Sequence, residues 1–218
     1  MKRLLCLAIF VFLGHTAWAA TADEPVFVEG VDYQVLSQQA QAAVPKTKGV
    51  VTVTEFFSYG CPWCYKIEPE LNEWRKKLPR MVAFSRVPVI YERGWDVYAK
   101  AYYAASILRL AGITPAIFKA IHDDSEKLET SDAMIKFFMK MGVKENVAKS
   151  AFLSSPTVVA KVKAGMQLMQ IFRVQSVPSL VINNKYRLDI GMMKGDTSKF
   201  FKVAGVLVAR EIVREQLT

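Results

Sequence analysis

The feature that most restricts how this chain can fold is a pair of cysteines three positions apart, Cys61-Pro62-Trp63-Cys64, lying between a strand-like run and a helix-like run. Val50 to Phe57 reads Val-Val-Thr-Val-Thr-Glu-Phe-Phe. Apart from one acid it is β-branched and aromatic, the pattern of a buried strand. Ser58-Tyr59-Gly60 supplies a turn. Pro62 suits the first position of a helix, where a backbone N–H would have no partner anyway. From Tyr65 to Leu78 the apolar residues Ile67, Leu71, Trp74 and Leu78 recur at helical spacing. Cys61 therefore falls at the N-cap, its sulfur facing free backbone N–H groups and the positive end of the helix dipole. Both favour the thiolate, and cysteines so placed have pKa values lowered to roughly 3.5–7.5. Cys64, inside the first turn, is expected to be the less exposed of the two.

What such a pair does depends on what accompanies it. The chain has 218 residues and three cysteines. Its start reads as a secretory signal: Met1-Lys2-Arg3 is a basic head, Leu4 to Leu13 an apolar run of ten, and Ala17-Trp18-Ala19 a small-x-small cleavage site. Residues 1–19 are expected to be removed as a signal peptide. An apolar run that short does not reach the roughly 20 residues a membrane-spanning helix needs. Cleavage would take away Cys6 and His15, leaving Cys61, Cys64 and His122. The formal charge would fall from +9 to about +7, because only Lys2 and Arg3 leave. Export implies an oxidising compartment. There a bridge closing a two-residue loop is a poor staple, since its stabilisation grows with loop length. Two cysteines and one histidine also fall short of the about four ligands of a structural zinc site. Redox chemistry is the strongest reading of Cys-x-x-Cys that is left. The cations are scattered, without an arginine-rich run, and no nucleic-acid motif is present.

Strand, Cys-x-x-Cys and helix in that order is the thioredoxin-like arrangement. Pro69 lies inside the helix, where it should kink it. Far downstream, Ser176-Val177-Pro178-Ser179 leads into Leu180-Val181-Ile182, a strand. Phe27-Val28-Glu29-Gly30-Val31-Asp32-Tyr33 precedes the first strand, and Asn183-Asn184-Lys185-Tyr186 marks a hairpin near the end. Together these segments resemble the DsbA family of bacterial periplasmic thiol–disulfide oxidoreductases, from about Pro25 to Leu217.

The resemblance implies an α/β thioredoxin fold with an inserted helical domain. The expected division is a first thioredoxin-fold part over 20–93, the helical insertion over 94–172, and a second thioredoxin-fold part over 173–218. Roughly 90 residues separate the strand near Val82–Val89 from Pro178, and they read as helices. Val97 to Leu110 is alanine-rich and apolar, Ser131 can cap Asp132 to Met141, and Ser155-Pro156 opens a helix to about Phe172. Another, from about Asp196 to Glu215, closes the fold.

The family also implies roles. Cys61 is the attacking and attacked sulfur, and Cys64 resolves the mixed disulfide. Pro178 is a cis proline beside the pair. Val177, Pro178 and Trp63 are expected to contact substrate. Glu55, an acid in an apolar strand, is expected to be buried below the site and to assist proton movement at the inner sulfur. The family commonly pairs that acid with a lysine on the next strand, where rough alignment places Phe84, with Arg86 the nearest cation. Burial should raise the pKa of a Glu55 left without its partner. The family's usual dipeptide between the cysteines is Pro-His. Pro-Trp loses a positive charge beside the thiolate, because an indole donates only a neutral N–H. A less oxidising enzyme is therefore expected.

His122 reads as a surface or capping residue. Met134, Met139, Met166 and Met169 read as core, as do Tyr91, Trp95 and Tyr98 before any role as groove walls. The function these readings imply is a monomeric enzyme that donates the Cys61–Cys64 disulfide to newly exported proteins and needs no cofactor or metal. A quinone-linked membrane protein, DsbB, would reoxidise it. A disulfide isomerase or reductase is the nearest alternative, but such relatives carry an N-terminal dimerisation domain, and only about 30 mature residues precede the first strand here. A peptide-binding chaperone is a further alternative.

Overall fold

The computed structural model describes residues 26–217. The expected signal peptide and its cleavage site lie outside the described residues. Five strands form one sheet in the order β1-β5-β4-β2-β3: β1 Gln34–Val35, β2 Val51–Phe57, β3 Val82–Pro88, β4 Ser179–Ile182 and β5 Tyr186–Asp189. β2 and β3 run parallel and the other pairings are antiparallel. The fold is the thioredoxin-like α/β arrangement expected from the strand–Cys-x-x-Cys–helix pattern.

Alternation in β2 explains how the sheet is covered. Val51 and Val53 point to one face, with Leu180, Ile182 and Leu188 of the neighbouring strands. Two helices cover that face: α2, Pro62–Lys76, through Ile67 and Leu71, and α8, Thr197–Gln216, through Phe200, Val203, Ala204 and Leu207. Phe56 points the other way and meets Phe172 edge-on. The second core lies on that side. It is built from the helices between β3 and β4, namely α3 Trp95–Ile107, α4 Ile113–His122, α5 Ser131–Lys140, α6 Glu145–Lys149 and α7 Pro156–Ile171, with a π-helical turn at Ser150–Ser154.

Element ends differ from the sequence reading by a few residues, each for a local reason. The cap of α5 is Thr130, whose hydroxyl accepts from Ala133 N–H, rather than Ser131. α2, by contrast, starts at Pro62 with Cys61 as its cap, as the sequence predicts. α1, Gln38–Ala42, and the short α6 carry too few apolar residues to show a period. Met134 is fully buried, but Met139 and Tyr91 are each about 40% exposed, against expectation. Met139 lies one turn beyond Ile135, at the margin of the buried stripe of α5 formed by Met134, Ile135, Phe137 and Phe138. Trp95 and Tyr98 are core. Among the described residues no helix is long and apolar enough to cross a membrane.

Candidate active site

The site begins where β2 ends. The turn is fixed by Ser58, whose hydroxyl accepts from Gly60 N–H (3.2 Å) and whose carbonyl accepts from Cys61 N–H (3.1 Å). Gly60 is required by close approach. A Cβ there would stand 2.6 Å from Trp95 Nε1 and 2.9 Å from Tyr98 Cε2. The next residue, Cys61, is the N-cap of α2, and its sulfur accepts the backbone N–H of Cys64 at 3.3 Å. Both cysteines are free thiols, with Cys61 slightly accessible and Cys64 fully buried.

Their acidities separate in opposite directions. The Cys61 thiol is held below its ordinary value by the Cys64 thiol hydrogen-bonded to it, aided by the backbone N–H groups of Cys64 and Trp63 and opposed by burial and the Glu55 charge. Burial pushes the Cys64 thiol well up, and the Cys61 sulfur and Glu55 add to the shift. One sulfur is thus suited to leave as an anion and the other to take a proton.

Across from the pair lies the loop before β4. The Cys61 thiol donates to the Val177 carbonyl at 3.5 Å, and the Val177–Pro178 peptide is cis. The loop is tied down by Ser179 Oγ donating to Ser176 O (2.6 Å) and by Tyr91 Oη donating to Val174 O (2.8 Å). Arg187 of β5 donates to the carbonyls of Phe172 and Arg173 at the end of α7.

Beneath the pair is a buried charge cluster. Glu55 lies directly opposite Arg86 in the parallel β2–β3 register, and its Oε2 is 2.5 Å from Arg86 Nε. That contact lacks hydrogen-bond alignment, so both carboxylate oxygens of Glu55 are without a hydrogen bond. The rest of the guanidinium grips Glu68 of α2 through two bonds, NH1 to Oε1 at 3.2 Å and NH2 to Oε2 at 2.6 Å. The doubt over a partner for Glu55 is resolved: the cation stands opposite Glu55, two positions beyond Phe84. Its Coulombic help does not cancel desolvation, and the Glu55 carboxyl is raised to about 7, with the nearby Glu68 charge adding to the rise. Burial lowers the pKa of Arg86, but the two carboxylates outweigh it and the net shift is upward.

Trp63 packs against the chain that leads into α8. Its indole lies over the loop before α8, where a Cβ on Gly195 (φ +84°) would stand 2.8 Å from Cη2. Lys66 Nζ sits 4.2 Å above the same ring. Part of the indole remains exposed beside the pair.

Two residues of the site were missed in the sequence. Glu68 occupies the buried stripe Cys64, Ile67, Glu68, Leu71 of α2, and an acid in that stripe is a readable signal of a buried partner. His122, at the end of α4, has Nε2 2.8 Å from the Tyr59 carbonyl, so Nε2 carries the proton. Its ring stacks on Tyr65, with centroids 4.9 Å apart and planes 7° apart. Tyr65 follows Cys64 directly, so His122 holds the active-site segment on both sides. No local pattern announces this contact between residues distant in sequence.

Among the described residues no group of three or more His, Cys, Asp or Glu is placed to hold a metal ion. Comparison with known proteins agrees with the geometry. A family model described as thioredoxin matches residues 37–190. The thiol:disulfide interchange protein DsbA of Pseudomonas aeruginosa is 31% identical over 212 residues, 97% of each chain. That of Burkholderia cepacia is 34% identical over 188 residues, covering 86% of this chain and 87% of its own. The crystal structure of Pseudomonas aeruginosa DsbA superposes with a TM-score of 0.79 at 31% identity, covering 87% of this chain and 97% of that one. The Xylella fastidiosa oxidoreductase DsbA gives 0.74 at 27% identity, covering 84% and 97%.

Proposed function

Because the chain belongs to the DsbA family and is a thiol–disulfide oxidoreductase, we propose that it works as a disulfide donor, with Cys61 the sulfur that substrates attack. In the oxidised enzyme a substrate thiolate attacks Cys61 Sγ. The Cys61–Cys64 bond breaks, its electron pair goes to Cys64, and that buried sulfur takes up a proton. The mixed disulfide lies beside Val177 and Pro178, whose loop offers backbone to an extended segment, while Trp63 borders the same opening. A second substrate thiolate then attacks the substrate sulfur of the mixed disulfide. Cys61 leaves as the thiolate, and substrate departs with a new disulfide. Two electrons have passed to the enzyme, and no cofactor beyond the cysteine pair takes part.

Glu55 is the acid nearest the inner sulfur in this scheme. With its pKa raised to about 7, it holds or releases a proton near neutral pH. The span 94–172, which contains α3 to α7, is proposed as a helical unit set between thioredoxin-fold parts 20–93 and 173–218. Substrates are newly exported proteins with cysteines, the enzyme acts in the periplasm as a monomer after losing residues 1–19, and a DsbB-type quinone-linked membrane protein reoxidises it.

The observation that carries the direction is the opposite displacement of the two thiol acidities, since a stabilised Cys61 thiolate favours the reduced enzyme and makes its disulfide oxidising. The test is equilibration of the purified enzyme in glutathione buffers, with a reduced, unfolded cysteine protein as acceptor. A potential well above the glutathione couple and net oxidation of the acceptor are expected. A potential at or below that of thioredoxin would reverse the direction and make the enzyme a reductase or isomerase.

A further inference from the structure

Away from the cysteine pair, β3 forms an edge of the sheet, with β2 on one side and, among the described residues, no strand on the other. The ladder phase is fixed at both ends, where Val51 N–H donates to Met81 O and Val89 N–H to Phe57 O. In a parallel ladder alternate residues bond to one neighbour. The odd-numbered residues of β3 therefore face β2, and the N–H and C=O of Phe84 and Arg86 face outward. α3 and α7 both pack against this strand, and α7 meets its far end, where Gly165 approaches Val87 and Pro88. From Val82 to Arg86 the edge carries no proline or lysine, residues that commonly block strand addition.

A hollow of about 660 Å³ lies beside this edge on the α2 face. Leu78, Val82 and Phe84 give it apolar walls, and Asn72, Arg75 and Arg80 bring polar groups. The Arg75 guanidinium lies 4.2 Å over the Phe84 ring and, among the described residues, donates only to Asn72 Oδ1 (3.3 Å). Arg80 makes no ion pair among the described residues. Burial and the like charge of Arg86 lower the pKa of Arg75, and the Glu55 and Glu68 charges offset this only in part. The free strand edge and the cation-lined hollow are independent features, and they adjoin at Phe84.

We propose that the β3 edge is a docking site for an extended, acidic peptide segment of a partner protein. The segment adds as a sixth strand through the outward N–H and C=O of Phe84 and Arg86. Side chains on one face of an added strand sit beside their cross-strand neighbours at about 4.5–5.5 Å between Cβ atoms. A glutamate or aspartate opposite Phe84 therefore reaches the hollow and meets Arg75 and Arg80. Main-chain bonding supplies affinity and the hollow supplies selectivity, the division of labour in strand addition. A second copy of this chain is a poor occupant, because edge-to-edge pairing would bring two cation-lined hollows together. The proposal is independent of the direction in which the cysteine pair exchanges.

The experiment uses the full reduced protein, isotope-labelled, and two cysteine-free hexapeptides, one alternating glutamate with threonine and one alternating lysine with threonine. The acidic peptide is expected to shift the Phe84 and Arg86 amide signals and slow their hydrogen exchange about tenfold or more at saturation, leaving the Ser85 amide, already bonded to β2, unchanged. Arg75→Gln with Arg80→Gln should weaken binding about tenfold or more. Phe84→Pro should abolish it while Phe84→Leu, which keeps the N–H, retains it. Proline is tolerated at outward positions of an edge strand, so the β2 ladder survives. Equal binding of the lysine peptide, or unmoved Phe84 and Arg86 signals, overturns the proposal. Protection of these amides in the free protein that grows with its concentration also overturns it, in favour of a second copy.

Discussion

Glu55→Gln should make the reduced protein more stable at pH 8 and leave it nearly unchanged at pH 4. The Glu55 carboxyl rises from an ordinary value of 4.5 to about 7 in the fold, chiefly because it is wholly buried. Below pH 4.5 the group is protonated folded or unfolded and has no influence. Between 4.5 and 7 the unfolded chain ionises first, so wild-type stability falls as pH rises. Above 7 both states are ionised and the loss levels off. A rise of that size corresponds to about 3 kcal/mol. Glutamine keeps the shape without the charge, and Arg86 keeps its two bonds to Glu68. The advantage of the variant should therefore grow from about 0 to about 3 kcal/mol across this window, or roughly 6–12 °C in Tm for a chain of this size. Urea denaturation of both proteins, held reduced by a phosphine, measures it at half-unit steps from pH 4 to 8. Parallel profiles for wild type and variant would refute the reasoning, since Glu55 would then be paired well enough to ionise as freely as in the unfolded chain.

Other substitutions probe the neighbouring groups. Trp63→His should raise the reduction potential by ~30 mV for each unit by which the Cys61 pKa falls; an unchanged potential in glutathione equilibration would count against the missing charge as the cause. Arg86→Met leaves two buried carboxylates without their cation and should cost about 3–5 kcal/mol at neutral pH; a loss below about 1 kcal/mol in urea would sink that account. His122→Phe preserves the ring stack on Tyr65 but removes the donor to Tyr59 O, a loss of about 1 kcal/mol. Mixed-disulfide formation should slow in this variant and recover in His122→Gln, and identical rates in all three would return His122 to the surface role its sequence context suggests.

Legibility followed the range of the interaction. The N-cap position of Cys61 was readable because strand, turn, Pro62 and apolar stripe are all local. The pairing of Glu55 was not, because the partner follows from parallel register, and a shift of two positions exchanges Phe84 for Arg86. Glu68 stood in plain view as an acid in a buried stripe, but only the strand opposite says what it is for. The clamp of His122 on Tyr59 spans 63 positions and depends on how α4 packs, which no period in the sequence encodes. Met139 failed for a different reason: helical spacing marks a stripe, but it does not say how wide a stripe the core covers.

The buried cluster also links proton and electron chemistry at the pair. Reduction that leaves Cys61 as thiolate and Cys64 as thiol takes up one proton, which lowers the potential by ~30 mV per pH unit. The thiolate created in that step lies close enough to Glu55 for each charge to disfavour the other. Glu55 must then bind its proton more tightly in the reduced enzyme than in the oxidised one. Around pH 7, where this carboxyl titrates, part of a second proton accompanies the electrons and the slope steepens. With no histidine charge between the cysteines, Cys61 depends on the Cys64 thiol and on backbone N–H groups, none of which titrates across neutral pH. Glu55 is therefore the group that steepens the pH dependence of this site near neutrality. A slope that stays at ~30 mV per unit through pH 7 in wild type, and is no shallower in Glu55→Gln, would mean the carboxyl titrates independently of the pair.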